Sequence, residues 1–260
     1  MIHPIVSVRP AAADVAQRRP ITVSIVSHGH REMVVRLLAQ LLGSKAISHV
    51  VVTHNLSAEP VPAPVTGWPF QFTELFNVLP AGFSANHNRA FSHCDSEFFC
   101  VLNPDVELHD AAIWERLLEQ ARLPGVGCTY PVLLNADGTR QENEREAASP
   151  LALIRRHLLK LPQRRVDWVS GAFWLVCAEA WRDLGGLDEH YYLYCEDTDF
   201  CLRLQLAGWR LARADASAIH DAGWGSRSLG EHLVWHVRSL LRLWVQPVLL
   251  RYLLSRIPRG

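Results

Sequence analysis

The 260-residue chain carries no surplus of either charge: 26 basic and 26 acidic residues leave a formal net charge of zero. A global positive field of the kind that draws in nucleic acid is thereby excluded. No stretch approaches the ~20 consecutive apolar residues of a membrane-crossing helix. The six cysteines, at 94, 100, 128, 177, 195 and 201, form neither a Cys-x-x-Cys pair nor a spaced Cys/His zinc pattern. They sit mostly in apolar stretches, which reads as reduced, buried thiols of a cytosolic protein. The opening MIHPIVSVRPAAADVAQRRP lacks the long apolar centre of a signal peptide, and residues 1–19 read as a flexible lead-in. No internal repeat divides the chain beyond that lead-in. With 49% hydrophobic and 20% charged residues, the chain is globular in composition and long enough to bury a core.

What is present is an alternation of strands and helices. ITVSIVSH (21–28) and HVVVTHN (49–55) are β-branched apolar runs that read as buried strands. Between them, Met33, Leu37, Leu38, Leu41 and Leu42 recur at helical spacing, and Gly43 ends the helix. This β-α-β start predicts a parallel sheet. A weak strand is predicted at 69–73, a helix at 83–94, a strand at 97–103 and a helix at 111–122. A further strand is predicted at 126–134, followed by the turn NADG. Residues 138–166 are polar and poorly periodic and read as a flexible connection, apart from the apolar 151–161. DWVSGAFWLVCAEAW (167–181) reads as a strand and then a helix. A helix is predicted at 198–207, a strand at 209–220 and a helical tail at 231–257 that Pro247 breaks in two.

Ligands in such sheets bind beyond the carboxyl ends of the strands. Ser27-His28, Thr53-His54-Asn55, Asn103-Pro104-Asp105 and His220 all fall there. Asp105 has two readings: a ligand for a hard divalent cation on a pyrophosphate, or the turn-forming Asp of N-P-D. His220, before the Gly/Ser-rich DAGWGSRS, is open in the same way. The acidic cluster in YYLYCEDTDFCLRL (191–204) adds a third group. Asp199 has an ordinary helix-start role, opposing the helix dipole and pairing with Arg203 at i,i+4. Glu196 and Asp197 are not explained that way. Clustered carboxylates raise one another's proton affinity, which suits one of them to general-base work on a hydroxyl.

In order along the chain, these segments resemble the family 2 glycosyltransferases of GT-A fold, in particular the bacterial rhamnosyltransferase-like members, over about residues 20–240. VVVTHNLS resembles the family's V-V-V-D-N-x-S segment, and AGFSANHNRAF its G-F-x-x-x-x-N-x-A-F. FFCVLNPDVEL resembles the L-N-P-D-V form of its DxD metal motif, and AIHDAGWGSRS its closing H-x-x-G-x-S. The long block from VDWVSGAFWLV to LGGLDEHYYLYCEDTDFCLRLQLAGW is the most specific. The resemblance implies a Rossmann-like, mostly parallel sheet flanked by helices. It places the lead-in at 1–19, the transferase domain at 20–228 and a C-terminal helical extension at 229–260.

The resemblance also implies roles. Asp105 and His220 would bind Mg²⁺ or Mn²⁺ on the donor diphosphate. Ser27, His54, Asn55, Asn88 and Asn103 would lie at the nucleotide, and 169–171 against donor sugar and acceptor. Asp197 would be the general base of an inverting displacement and Glu196 would assist it. The donor implied is dTDP-L-rhamnose, with a UDP-sugar next; the acceptor is a glycan or lipid-linked glycan. The chain departs from the family at His54, where an Asp is usual, and at Pro80, where many relatives carry Asn; both touch the nucleotide side. A second reading is a non-catalytic sugar-nucleotide or glycan binder of the same fold, and a third is a structural partner in polysaccharide assembly. The apolar, Arg-dotted C-terminal stretch fits two roles. One is an interfacial helix on anionic lipid, with the enzyme peripheral at the inner face of the membrane. The other is a helix pair packed on the domain or across a homodimer.

Overall fold

The computed structural model describes residues 7–8, 19–56, 59–163, 165–221 and 229–256. The apolar runs form the strands β2 (Ile21–Ser27), β3 (Ile47–His54), β5 (Phe98–Leu102) and β7 (Val126–Leu134). β4 (Gln71–Phe76) extends the weak strand predicted there, and β1 (Ser7–Val8) pairs with it antiparallel inside what reads as lead-in. Helices α1 (Arg31–Leu41), α2 (Phe83–Phe91) and α3 (Ile113–Ala121) fall within a few residues of their predicted bounds. The predicted strand at 167–181 divides in two. β9 (Trp168–Val169) pairs with β8 (Glu144–Arg145), while β10 (Phe173–Cys177) enters the main sheet and runs into α5 (Ala178–Leu184). The connection at 138–166 carries β8, α4 (Pro150–Leu153) and a π-helical turn (Ile154–Leu158). Helix α6 (Glu196–Leu206) starts two residues earlier than predicted, so the acidic cluster lies inside its first turn. β11 (Arg210–His220), α7 (Leu229–Val245) and α8 (Pro247–Ser255) complete the chain, with the break at Pro247 as read.

The nine-stranded sheet has the order β1-β4-β3-β2-β5-β10-β7-β11-β6, where β6 is Val106–Glu107. β2, β3, β4, β5, β7 and β11 point one way; β1, β10 and β6 run against them. Alternation along the strands splits the core into two layers. Phe98, Cys100 and Leu102 of β5 face α1 and α3; Phe99 and Val101 face α2, α5 and α6. A third cluster, with Tyr191, Leu202, Leu243, Leu249 and Tyr252, seats the C-terminal helices on α6. Tyr252 donates to Asp167 Oδ1 at 2.8 Å, inside that contact.

All six cysteines are unpaired thiols and only Cys177 has appreciable exposure. Among the described residues no helix is long and apolar enough to cross a membrane.

Candidate active site

Strand register builds the site. His220 pairs with Val106 and Ile219 with Glu107, so the two-residue strand after Asn103-Pro104-Asp105 lies on the last residues of β11. The pairing brings two residues 115 positions apart into contact: His220 Nε2 stands 3.4 Å from Asp105 Oδ1. His220 Nδ1 lies 2.9 Å from Gln141 Oε1, and Gln141 Nε2 donates to the His220 carbonyl and to Asn135 Oδ1. An amide oxygen only accepts, so Nδ1 carries a proton, and Nε2 faces the carboxylate. Asp105 Oδ1 is buried and has no hydrogen-bond partner.

Where Nε2 is unprotonated, the two groups call for a cation between them. The 3.4 Å separation exceeds a charge-assisted hydrogen bond, ~2.7–2.9 Å. It suits neighbouring ligands of a divalent ion, which at ~2.1 Å from the metal sit roughly 3 Å apart or slightly more. The donor set fits Mg²⁺ or Mn²⁺. Among the described residues no cluster of three or more His, Cys, Asp or Glu side chains is arranged for a metal.

A second part of the site is built from 169–172 and the start of α6. Asn103 N donates to the Ala172 carbonyl at 2.8 Å, joining the N-P-D turn to the entry of β10. Gly171 lies between Phe83 and Asp197: a Cβ there would meet Phe83 Cζ at 3.5 Å and Asp197 Cβ at 3.7 Å. Asp197 Oδ1 accepts from Thr198 N at 2.7 Å, and the Gly171 backbone is a second donor. Burial nevertheless dominates and pushes the Asp197 carboxyl up to about 6. Some of Asp197 stays solvent-accessible, so the proton has a way in and out. Glu196 is more deeply buried, with Oε2 unpartnered. Its proton affinity is raised well above the usual carboxyl range, first by burial and then by Asp197. The two adjacent carboxyls are both pushed up and titrate as a pair.

Asp199 takes the structural role. It pairs with Arg203 at 2.6 Å, and Arg203 also donates to the Leu184 and Gly186 carbonyls. Burial still raises the Asp199 carboxyl against the opposing pull of Arg203.

Just before the carboxylates, Tyr194 and Cys195 have φ of 72° and 65°, the left-handed region that non-glycine residues rarely occupy. Two such residues in succession turn the chain sharply into α6, and the surroundings hold them there. At Gly82 a Cβ would stand 2.7 Å from the Tyr192 carbonyl oxygen, while Phe83 N donates to that oxygen at 2.9 Å. The α2 start is therefore pressed onto the loop that leads into α6.

The nucleotide-side residues behave differently. Ser27, Asn55 and His54 do stand at adjacent strand ends, with Ser27 paired to His54 in the ladder. The Asn55 amide is fully committed: Nδ2 donates to His28 Nδ1 and the Ala81 carbonyl, and Oδ1 accepts from Asn77 Nδ2 and Ala81 N. Its work is to fix the turn before Gly82. Asn77 and Asn86, which pattern reading did not single out, join this network through an Asn77 to Asn86 bond of 2.7 Å. Ser27 Oγ accepts from His30 N, shaping the turn into α1. His54 is only 2% exposed, stacks on Phe76 and lies 2.8 Å from Glu74 Oε1. Glu74 Oε1 also accepts from Val61 N, so the substitution at position 54 ties the 59–64 loop to β4. Asn88 is turned to the 186–189 loop: it exchanges bonds with the Leu187 backbone and donates to Glu189. Gly186 permits that approach, since a Cβ there would lie 2.3 Å from Asn88 Oδ1.

Helix α7 packs on the 188–194 loop through side chains that the motifs did not single out. Tyr194 OH bonds His232 Nδ1 at 2.8 Å, Tyr192 packs on Trp235 at 5.1 Å and Tyr194 meets His236 at 5.0 Å. Ser239 Oγ donates to the Leu193 carbonyl and Arg242 to Asp188. Positions 232, 235, 236, 239 and 242 form one helical face. The spacing of H-L-V-W-H was the signal. The closing H-x-x-G-x-S segment is described only at His220 and Asp221; its remainder lies outside the described residues.

A cleft of about 450 Å³ between Trp209, Arg210, Tyr252 and Arg256 opens at the opposite end of β11. That eleven-residue strand is ~35 Å long, so the cleft is not part of this site.

No protein-family model matches the chain. The chain is 28% identical over 246 residues to the rhamnosyltransferase WbbL of Escherichia coli, spanning 85% of this chain and 90% of WbbL. It is 28% identical over 163 residues to the N-acetylglucosaminyl-diphospho-decaprenol L-rhamnosyltransferase of Mycobacterium tuberculosis, spanning 55% of this chain and 53% of that one. Among solved structures, a mannosyltransferase of Pyrobaculum calidifontis in complex with GDP-mannose and Mn²⁺ superposes with a TM-score of 0.59 at 16% identity, over 96% of this chain and 78% of that one. A glucosyl-3-phosphoglycerate synthase of Mycobacterium tuberculosis superposes with a TM-score of 0.56 at 13% identity, over 86% and 80%. The sheet order, its antiparallel insertion and these superpositions show the GT-A fold. In sequence the chain is similar to these two rhamnosyltransferases, at 28% identity to each.

Proposed function

We propose that the chain is an inverting transferase that moves L-rhamnose from a nucleotide diphosphate to a hydroxyl of a glycan or lipid-linked glycan, with dTDP-L-rhamnose the first donor to test and a UDP-sugar the second. Asp197 is the general base and Glu196 the protonated neighbour that positions the acceptor. Asp105 and His220 hold Mg²⁺ or Mn²⁺, leaving the other coordination positions to diphosphate oxygens and water. The ion supplies charge neutralisation on the leaving diphosphate. Ser27, Asn55, Asn103 and His28 line the nucleotide side, Ser27 and Asn55 by fixing the turns that shape it. Tyr192, Trp235 and His236 form an aromatic wall on which an acceptor sugar ring can lie. Free thiols and the proposed nucleotide-sugar donor support a cytoplasmic location.

The observation that carries this reading is the separation of tasks. One Asn103 to Ala172 hydrogen bond holds a two-ligand cation site on one side and a carboxylate raised to about 6 on the other. The test is donor turnover by the full chain and its Asp197→Asn variant, with a thermal-shift series of dTDP, UDP and GDP in Mn²⁺ or EDTA. Loss of turnover with metal-dependent nucleotide binding retained supports the reading. Unchanged turnover in the variant overturns Asp197 as base. No turnover by the parent chain with any donor, while a nucleotide still binds, favours a non-catalytic sugar-nucleotide binder.

A further inference from the structure

Twenty-one large apolar side chains stand well exposed among the described residues, and thirteen of them belong to two segments: five at 151–161 and eight at 233–254. On α7 they are Leu233, Val234, Val237, Leu241, Trp244 and Val245. These positions recur at helical spacing on the face turned away from His232, Trp235, Ser239 and Arg242, which grip the 188–195 loop. On α8, Leu249 and Tyr252 are buried while Leu250 and Leu254 point outward. Trp244 Nε1 donates to the Ala148 carbonyl at 2.7 Å, so the end of α7 abuts the start of α4. Beyond that joint, Leu158 and Leu159 are 76% and 56% exposed. Monomeric proteins rarely leave so large a continuous apolar area uncovered.

The charge on these segments selects the partner. Residues 150–163 contain Arg155, Arg156 and Lys160 and no acidic residue; residues 232–256 contain Arg238, Arg242, Arg251 and Arg256 and no acidic residue. The chain as a whole is neutral, so the basic surplus is local. Arg242 and Arg156 are engaged with Asp188 and Glu142, but Lys160, Arg238 and Arg251 are exposed. A homodimer would bring this basic surface against itself. An apolar stripe with tryptophan at its edge and arginines around it is the pattern of a helix lying in a lipid interface.

We infer that the outer face of α7 and α8, together with the 150–161 segment, docks on an anionic phospholipid surface. Docking would hold the other face of α7 against the 191–195 loop, so Asp197 would work on acceptors presented at that surface. The lipid binding stands independently of the transfer reaction; the link to acceptor presentation rests on the function proposed above.

The test is flotation of the full chain with vesicles of phosphatidylglycerol and phosphatidylcholine, against phosphatidylcholine alone. We expect binding to the anionic vesicles only, most of it lost between low salt and ~0.5 M NaCl as screening shortens to a few ångström. Leu241→Glu with Val245→Glu, and separately Leu158→Glu with Leu159→Glu, should each weaken it by about tenfold or more. Val65→Glu, on an exposed loop elsewhere, should change nothing. Sedimentation and melting curves of each variant check folding and oligomeric state. A stable dimer without lipid that Leu241→Glu with Val245→Glu makes monomeric would overturn the inference in favour of a second copy. Equal binding to neutral vesicles, or none to anionic ones, would overturn it outright. Transfer to a water-soluble acceptor is measured beside flotation. Full activity there with no flotation sinks the docking and spares the transferase reading, whereas flotation without transfer does the reverse.

Discussion

Replacing Asp197 by Asn should abolish sugar transfer and stabilise the fold at the same time. The Asp197 carboxyl is raised to about 6 from an ordinary 3.8, chiefly because burial disfavours its charged form. Roughly two pH units at 1.36 kcal/mol each is about 3 kcal/mol. The sign comes from linkage: between the unfolded and folded values the native state binds the extra proton, so stability falls as pH rises through that window, and the full cost is present above about pH 6. Asn keeps an oxygen for Thr198 N but carries no charge. The variant should therefore gain up to about 3 kcal/mol near pH 8 and little near pH 3. At ~2–4 °C per kcal/mol for a chain of this size, its Tm should rise by roughly 6–12 °C. Glu196 adds to the gain, since Asp197 is the second cause of its own raised affinity. Transfer should fall by ~10²–10⁴, the usual worth of a general base. Arg203→Met is the control of opposite sign. It breaks the 2.6 Å ion pair, whose arginine side chain is 23% exposed, and leaves the buried Asp199 without its cation. Breaking a buried pair costs ~3–5 kcal/mol; the partial exposure reduces this to about 2–3 kcal/mol. Melting curves at two pH values and initial rates decide the matter. An Asp197→Asn protein that melts lower near pH 8, or that keeps its transfer rate, refutes the assignment.

The geometry fixes three further outcomes. The rate kcat/KM should fall on acidification below about pH 6, as Asp197 takes up its proton, and level off above it; a rate that is flat from pH 5 to pH 8 contradicts the base. Asp105→Asn and His220→Gln should each remove the Mn²⁺-dependent part of the nucleotide thermal shift while leaving the unliganded Tm within a few degrees; metal-dependent shifts that survive both changes place the ion elsewhere. Gly82→Ala should destabilise the protein by about 1–3 kcal/mol and slow transfer, because its Cβ meets Tyr192 backbone rather than a movable side chain; wild-type stability and rate together would show that the α2 start is not pressed onto the base loop.

The sheet was legible wherever one face of the pattern was decided locally. β2, β3, β5 and β7 are continuous apolar runs, and β7 falls on the predicted residues. The insertion of β10 between β5 and β7, antiparallel to both, was not legible, because FWLVC has the same pattern whichever neighbours it has. The same limit applies to Val106–Glu107: two residues carry no strand signal, yet their pairing with β11 is what brings His220 to Asp105. Asn88 shows how a motif position can hide its contacts. Its segment reads as nucleotide-side, but its amide is turned to Leu187, ninety-nine residues away.

The start of α6 explains why the Glu196–Asp197 pair was nearly visible. Helix propensity and dipole arguments put an acidic residue in a first turn, and Asp199 satisfies them through Arg203. The helix begins earlier because Tyr194 and Cys195 adopt left-handed backbone, a conformation that sequence announces with glycine or asparagine and here does not. Something must hold them there. Tyr194 is fixed through its ring and hydroxyl by His232 and His236, and Cys195 is buried in the cluster that seats the C-terminal helices. The position of Asp197 therefore depends on α7, some forty residues further along the chain, and the strain at 194–195 is sustained by contacts that pattern reading assigns to an ordinary apolar helix. A change on the inner face of α7 that leaves every sequence motif intact, Trp235→Ala for instance, acts on the base through that loop.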